Sequence, residues 1–197
     1  MSDGRFLAGG IMALGLAVLG GYGLSQSAVM AQDAADGPGP NLSIEVAGAA
    51  NGTVVIDLMP EVAPKHVAQI TALAEQGAYD GVVFHRVIDG FMAQTGDVQY
   101  GKGSDLSSAG MGGSDLPDIP AEFSDVSFER GVVGMARSAS PDSANSQFFI
   151  MFAPGEFLNG QYTVVGKVIS GMDVVDSIAK GEPPSTPDVM TKVTVAP

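Results

Sequence analysis

The sequence predicts a mainly β protein, a closed or nearly closed barrel of about eight short strands whose open ends are covered by two helices. Three observations predict it. Short β-branched and aromatic runs alternate with Gly, Asp and Asn turns. Only two segments carry the spacing of a half-buried helix. The 197 residues hold 27 glycines and 12 prolines, so turns are frequent.

Taken in chain order, Ser43–Val46 and Thr53–Leu58 flank Asn51-Gly52, and those two residues tolerate the positive φ of a hairpin turn. Pro64 suits the first turn of a helix running to about Gln76. Val67, Ile70, Leu73 and Ala74 share one face of it, and Gly77 is the stop. Asp80-Gly81 and Asp89-Gly90 bracket VVFHRVI, which reads as one strand over residues 82–88. Further strands are expected at Gly131–Ala136, Gln147–Phe152, Thr163–Ile169 and Thr191–Val195. The second helix covers about Met172–Ala179 and buries Val174, Val175 and Ile178. Asp97–Phe123 is Gly- and Ser-rich and long, as functional or mobile loops are.

The N-terminus reads as a separate object. Arg5 precedes nineteen uncharged residues, Phe6–Leu24, and SAVMA then offers small residues at Val29 and Ala31. That order describes an export signal over residues 1–31. An uncleaved membrane anchor is the alternative, since the stretch could just span a bilayer, although six glycines dilute it. Either reading puts the remainder outside the cytoplasm, in a periplasm or secreted, or held on the inner membrane facing the periplasm. Residues 32–41, QDAADGPGPN, form a flexible spacer.

Composition excludes several functions. Without cysteine there is no disulfide framework, Cys-ligated zinc, iron–sulfur centre or thiol catalysis. A net charge of −13 argues against nucleic acid or anionic lipid as partner. Removing the leader takes Asp3 and Arg5 together, so the acidity belongs to the folded domain. GKGSDLSSAG lacks the GxxxxGK[ST] spacing of a phosphate loop, and neither GxSxG nor HExxH occurs. With two histidines, a transition-metal site is not expected, nor is any cofactor. His66 reads as a partly exposed helix residue and His85 as a hydrogen-bonded core histidine. Arg86 stands out, because a cation within an apolar strand needs a carboxylate such as Asp89 or Asp97, or a solvent-lined site.

The segment FHRVIDGFMAQTGD (Phe84–Asp97) resembles the first signature of the cyclophilin family of peptidyl-prolyl isomerases. GVVGMARSASPDSANSQFFIMF (Gly131–Phe152) resembles the second, and FLNGQYTVVGKVISGMDVVD (Phe157–Asp176) matches the third block in order and spacing. The resemblance implies a closed eight-stranded antiparallel barrel capped by two helices, spanning residues 42–197. It implies Arg86 as the catalytic arginine, with Gln94 holding the substrate backbone. Phe91, Met92, Phe149 and Leu158 become the floor of a proline pocket, and Ala136 and Gln147 line the groove beside it. Phe157 stands where animal members carry tryptophan and Tyr162 where they carry histidine, and both belong to the substrate-binding set. MARSASPDSANSQFF, with Arg137 after Ala136, is closer to bacterial members than to animal ones, and with the leader this suggests an exported bacterial branch. By composition alone Phe91, Met92 and Phe149 are ordinary core residues.

The implied partners are proline-containing, folding polypeptides, and the implied protein is a monomer whose membrane contact is confined to the N-terminal segment. A proline-binding chaperone with incidental isomerase activity remains open, motivated by the long loop and the acidity. A lipocalin-type binder needs an open calyx, whereas Val, Ile and Phe should fill this barrel.

Overall fold

The computed structural model describes residues 35–196. The leader, the cut after Ala31 and the start of the spacer lie outside them. Among the described residues, no helix is long and apolar enough to cross a membrane.

The chain runs β1 (Asn41–Ala47), β2 (Gly52–Leu58), α1 (Pro64–Glu75), β3 (Val82–Val83), β4 (Arg86–Ile88), β5 (Met92–Thr95), β6 (Val132–Met135) and β7 (Phe148–Met151). A 3-10 turn (Glu156–Leu158), β8 (Val164–Ser170), α2 (Met172–Ser177) and β9 (Val189–Ala196) complete it. The strands join in one sheet in the order β3-β9-β1-β2-β8-β6-β7-β5-β4. Every ladder is antiparallel.

The expected closed eight-stranded barrel is corrected to an open, strongly curled sheet of nine strands, with β3 and β4 as its edges. VVFHRVI is two strands rather than one, and β5 is a further strand that the spacing did not predict. The Val83 N–H turns to the Gly101 carbonyl at 2.9 Å and the Phe84 N–H to the Asp188 carbonyl at 2.9 Å. The first half of the run thereby joins β9 and the second half joins β5. The Asn51-Gly52 hairpin also forms, but Gly52 already pairs with Val46, so the connection is longer than two residues.

Both helices appear where their spacing predicts them. The Gly77 N–H bonds the Ala74 carbonyl and the Ala78 N–H the Leu73 carbonyl, closing α1 where the glycine predicts a stop. In α2, Val175 and the following Ile178 are buried while Val174 is only partly so. The entry to α1 is capped from afar, since Ala63 offers no capping side chain. Instead Glu122 accepts the N–H groups of Lys65 and His66 and the His66 Nδ1–H at 2.7 Å. His66 is therefore fully buried, not partly exposed, because its ring closes this carboxylate over the helix start.

Strand alternation divides the apolar residues between two clusters. Val87, Ala93, Val133, Phe148 and Ile150 join the larger core with Ile44, Ile56 and Val165. Their neighbours Met92, Val132, Phe149 and Met151 point the other way, into a smaller cluster with Phe128, Leu158 and Val164. That smaller cluster underlies the site.

Candidate active site

The register of β4, β5, β7 and β6 sets Arg86 opposite Gln94, Gln94 opposite Phe149, and Phe149 opposite Gly134. One cross-strand row thus presents a guanidinium, an amide, an aromatic ring and a glycine without a side chain on the same face of the sheet. The next row on that face pairs Ile88 with Met92 and Met92 with Met151, adding apolar wall.

Above these rows lies a cavity of about 490 Å³ lined by Arg86, Phe91, Met92, Gln94, Ala136, Phe149, Phe157, Leu158 and Tyr162, with Arg137 and Gln161. Its floor is an aromatic stack, with Phe149 5.7 Å from Phe128 beneath it and edge-on to Tyr162 at 5.8 Å. Gly134 makes the stack possible. A Cβ there would lie 2.5 Å from Phe149 Cζ and 2.6 Å from Phe128 Cε1. Phe91 and Phe157 meet at 5.6 Å on the rim, and Phe157 is 70% exposed, available to an incoming ligand.

Gln147 is the one residue of the expected set that does not line this cavity. It lies in the wall of a neighbouring cavity of about 510 Å³, formed with Gly110–Ser114, Asp118, Ser138, Ser143 and Asn145. Gln94, Ala136 and Arg137 line both cavities and form the saddle between them.

A hydrogen-bonded relay joins the two. Gln94 Nε2 donates to Gln147 Oε1 at 2.9 Å, and Gln147 Nε2 donates to the carbonyls of Gly110 and Gly112. Those glycines are held from the other side by Asp97, whose carboxylate also takes the N–H groups of Gln99 and Tyr100. Asp97 is fully buried. Gly112 is required for this approach, since a Cβ there would lie 2.5 Å from Asp97 Oδ1. The long loop is thus wrapped around one carboxylate, which satisfies four of its backbone N–H groups without a strand.

Asp97 is consequently not the partner of Arg86, and neither is Asp89. Arg86 Nε donates to Glu182 Oε2 at 2.8 Å, ninety-six residues along the chain. His85 is buried against Gly110, yet neither ring nitrogen has a hydrogen-bond partner among the described residues. Burial pushes its pKa down and the nearby Asp97 carboxylate opposes that, while the ring packs beneath the loop against Gly110.

Two lining residues carried no expected role, Arg137 and Gln161. The Arg137 guanidinium lies 4.4 Å above the Tyr162 ring and donates to the carbonyls of Gln161 and Ser138. The sequence signal for it was the Arg that follows Ala136 in MARSAS.

A family model described as cyclophilin type peptidyl-prolyl cis-trans isomerase matches residues 42–196. The chain belongs to the cyclophilin family. It is an isomerase of that class, and relatives agree. A probable peptidyl-prolyl cis-trans isomerase of Brucella suis is 61% identical over 153 residues, covering 74% of this chain and 78% of the relative. Peptidyl-prolyl cis-trans isomerase B of Bacillus subtilis is 39% identical over 142 residues, covering 72% of this chain and 90% of the relative. The crystal structure of a cyclophilin from Hirschia baltica superposes with a TM-score of 0.68 at 29% identity, covering 81% of this chain and 74% of that one. The nine-stranded curl with its two helices is therefore this chain's form of the cyclophilin fold.

Proposed function

We propose that this cyclophilin accelerates rotation about X–Pro bonds in exported polypeptides, with Arg86 stabilising the twisted amide over a hydrophobic proline pocket. The observation that carries the reading is the row in which Arg86, Gln94 and Phe149 stand side by side at the edge of one apolar cavity. An X–Pro bond resists rotation because conjugation gives it partial double-bond character, a barrier of about 20 kcal/mol. Twisting ends the conjugation and returns a lone pair to the prolyl nitrogen. A guanidinium aimed at that nitrogen donates a hydrogen bond that is strong only in the twisted state, which is the condition for catalysis. Arg86 suits this, because its charge is permanent and its side chain is only 41% exposed.

The other residues position the substrate. Phe149, Met92, Phe91 and Leu158 surround the ring of the substrate proline, and Gln94, fixed by Gln147, meets a flanking backbone group. Lowering the barrier by roughly 6 kcal/mol turns tens of seconds into milliseconds. One charge-assisted hydrogen bond and a held ground state are of that order. No nucleophile, acid–base pair or bound cofactor takes part.

The export context rests on Arg5, the apolar run Phe6–Leu24 and the small residues before Gln32. The working protein is then a periplasmic or secreted monomer acting on folding chains, or one held by its uncleaved leader at the inner membrane. Mass spectrometry of the protein from its native envelope should find Gln32 as the N-terminus. An intact Met1 or Ser2 contradicts cleavage. For the chemistry, Arg86→Ala should slow catalysed isomerisation of a proline peptide at least about tenfold with the fold retained. An unchanged rate contradicts the mechanism.

A further inference from the structure

We infer that Glu182 is a positioning residue for the isomerase reaction, a carboxylate that fixes the Arg86 side chain by its Nε–H and leaves the terminal nitrogens aimed into the proline pocket. The inference rests on the reading of Arg86 given above.

The backbone places Glu182 there. Val87 of β4 and Gly181 exchange both hydrogen bonds, N–H to carbonyl at 2.8 Å in each direction. That is one antiparallel bridge outside the named strands. In such pairing the residue before Val87 stands opposite the residue after Gly181, and the side chains of this next pair lie close on one face. Those residues are Arg86 and Glu182. The cross-strand row of the site therefore extends past the sheet edge, with Arg86 between Gln94 on one side and Glu182 on the other. Gly181 is suited to the turn, since its φ is +148° and a Cβ would lie 2.5 Å from Pro184 Cα.

The contact divides the guanidinium's donors. Nε binds Glu182 Oε2 at 2.8 Å, while neither terminal nitrogen makes a hydrogen bond among the described residues. Arg86 lines the proline cavity and Glu182 does not, so the carboxylate approaches from outside the pocket and occupies none of it. The pair is half-exposed, 41% and 53% by side chain, and exposed pairs of this kind contribute little to stability. Its effect falls on order. A free arginine side chain samples many rotamers, and each catalytic event must gather it into one. A side chain already held spends more of its time in the productive geometry.

This predicts an effect on turnover through geometry rather than through charge. The test measures kcat and KM for a proline tetrapeptide with the wild type, Glu182→Ala, Glu182→Gln and Arg86→Ala. Glutamine keeps an oxygen that accepts the Nε–H and removes the negative charge. The expected result is that Glu182→Ala lowers kcat about fivefold with KM within twofold, and Glu182→Gln restores at least about half of the wild-type kcat. In the same samples, the Arg86 Nε–H resonance should show a rigid side chain in the wild type and Glu182→Gln and a mobile one in Glu182→Ala. An unchanged or raised kcat in Glu182→Ala overturns the inference, as does an equal loss in both variants or a loss confined to KM. The same kinetics separate the two levels of the argument. Loss in Arg86→Ala with none in Glu182→Ala removes only the positioning role, whereas a wild-type rate in Arg86→Ala removes the reading beneath it.

Discussion

The two cavities that meet at Gln94, Ala136 and Arg137 are nearly equal in volume and opposite in construction. The proposed proline pocket rests on β4, β5 and β7, and its floor is a stack of rings. Alternation along β7 turns Phe149 inward against Phe128 and Tyr162, which come from connecting segments. Its neighbour is built on the 97–123 loop, and its wall stands because one buried carboxylate gathers four backbone N–H groups. An apolar wall fails gradually, since each ring keeps its other neighbours. A wall held largely by one anion loosens together when that anion goes, because four part-buried backbone N–H groups lose their shared partner at once.

Removing the anion is the strongest way to test this contrast. Asp97→Ala should destabilise the domain by about 4 kcal/mol, the loss expected when several hydrogen bonds to one buried charge are removed together. Hydrogen exchange at Gly110 and Gly112 should rise to that of a free loop, while β5 and β7 stay protected. Continued protection of those glycines would show that the loop has another support.

Truncating the floor is the matching change on the other side. Phe149→Ala should cost about 3 kcal/mol as a large-to-small change beside the aromatic stack. It should raise KM for proline peptides and leave Gly110 and Gly112 protected. Loosening of the loop in this variant would erase the distinction between the two walls.

The smallest expected effect concerns the far end of the loop, where Glu122 caps α1. Burial alone pushes this carboxyl up. The hydrogen bonds from the His66 ring and from the backbone of His66 and Lys65 outweigh it and hold the group below its ordinary 4.5. A carboxylate held down by folding lends stability above its unfolded-state value, and that stability is lost as pH falls through the lower folded value. Melting temperature should therefore drop on acidification below about pH 4.5, and Glu122→Gln should flatten part of that drop. An identical acid profile in the variant removes Glu122 from the account.

The same contrast explains what the sequence made legible. Most strand and helix positions followed from apolar spacing and turn residues, with β5 missed, and the candidate site residues came from the family signatures, because both are local patterns. Gly134 and Asp97 were silent, since a close approach and a loop anchor depend on contacts that no spacing encodes. Arg86 is the clearest case. Its need for a carboxylate could be read from burial of a cation, but the nearby Asp89 and Asp97 were the natural candidates, and only the Val87–Gly181 bridge brings Glu182 across. The split of VVFHRVI has the same origin, because both halves have strand composition and only their partners differ.

The proposed role of Arg86 is to act on the twisted bond and not on the affinity for proline. NMR exchange spectroscopy on one proline peptide, with wild type and Arg86→Ala, reads the catalysed rate and the binding constant in the same sample. The rate should fall at least about tenfold while the dissociation constant changes less than about threefold. An unchanged rate, or a loss of rate matched by an equal loss of binding, would contradict it.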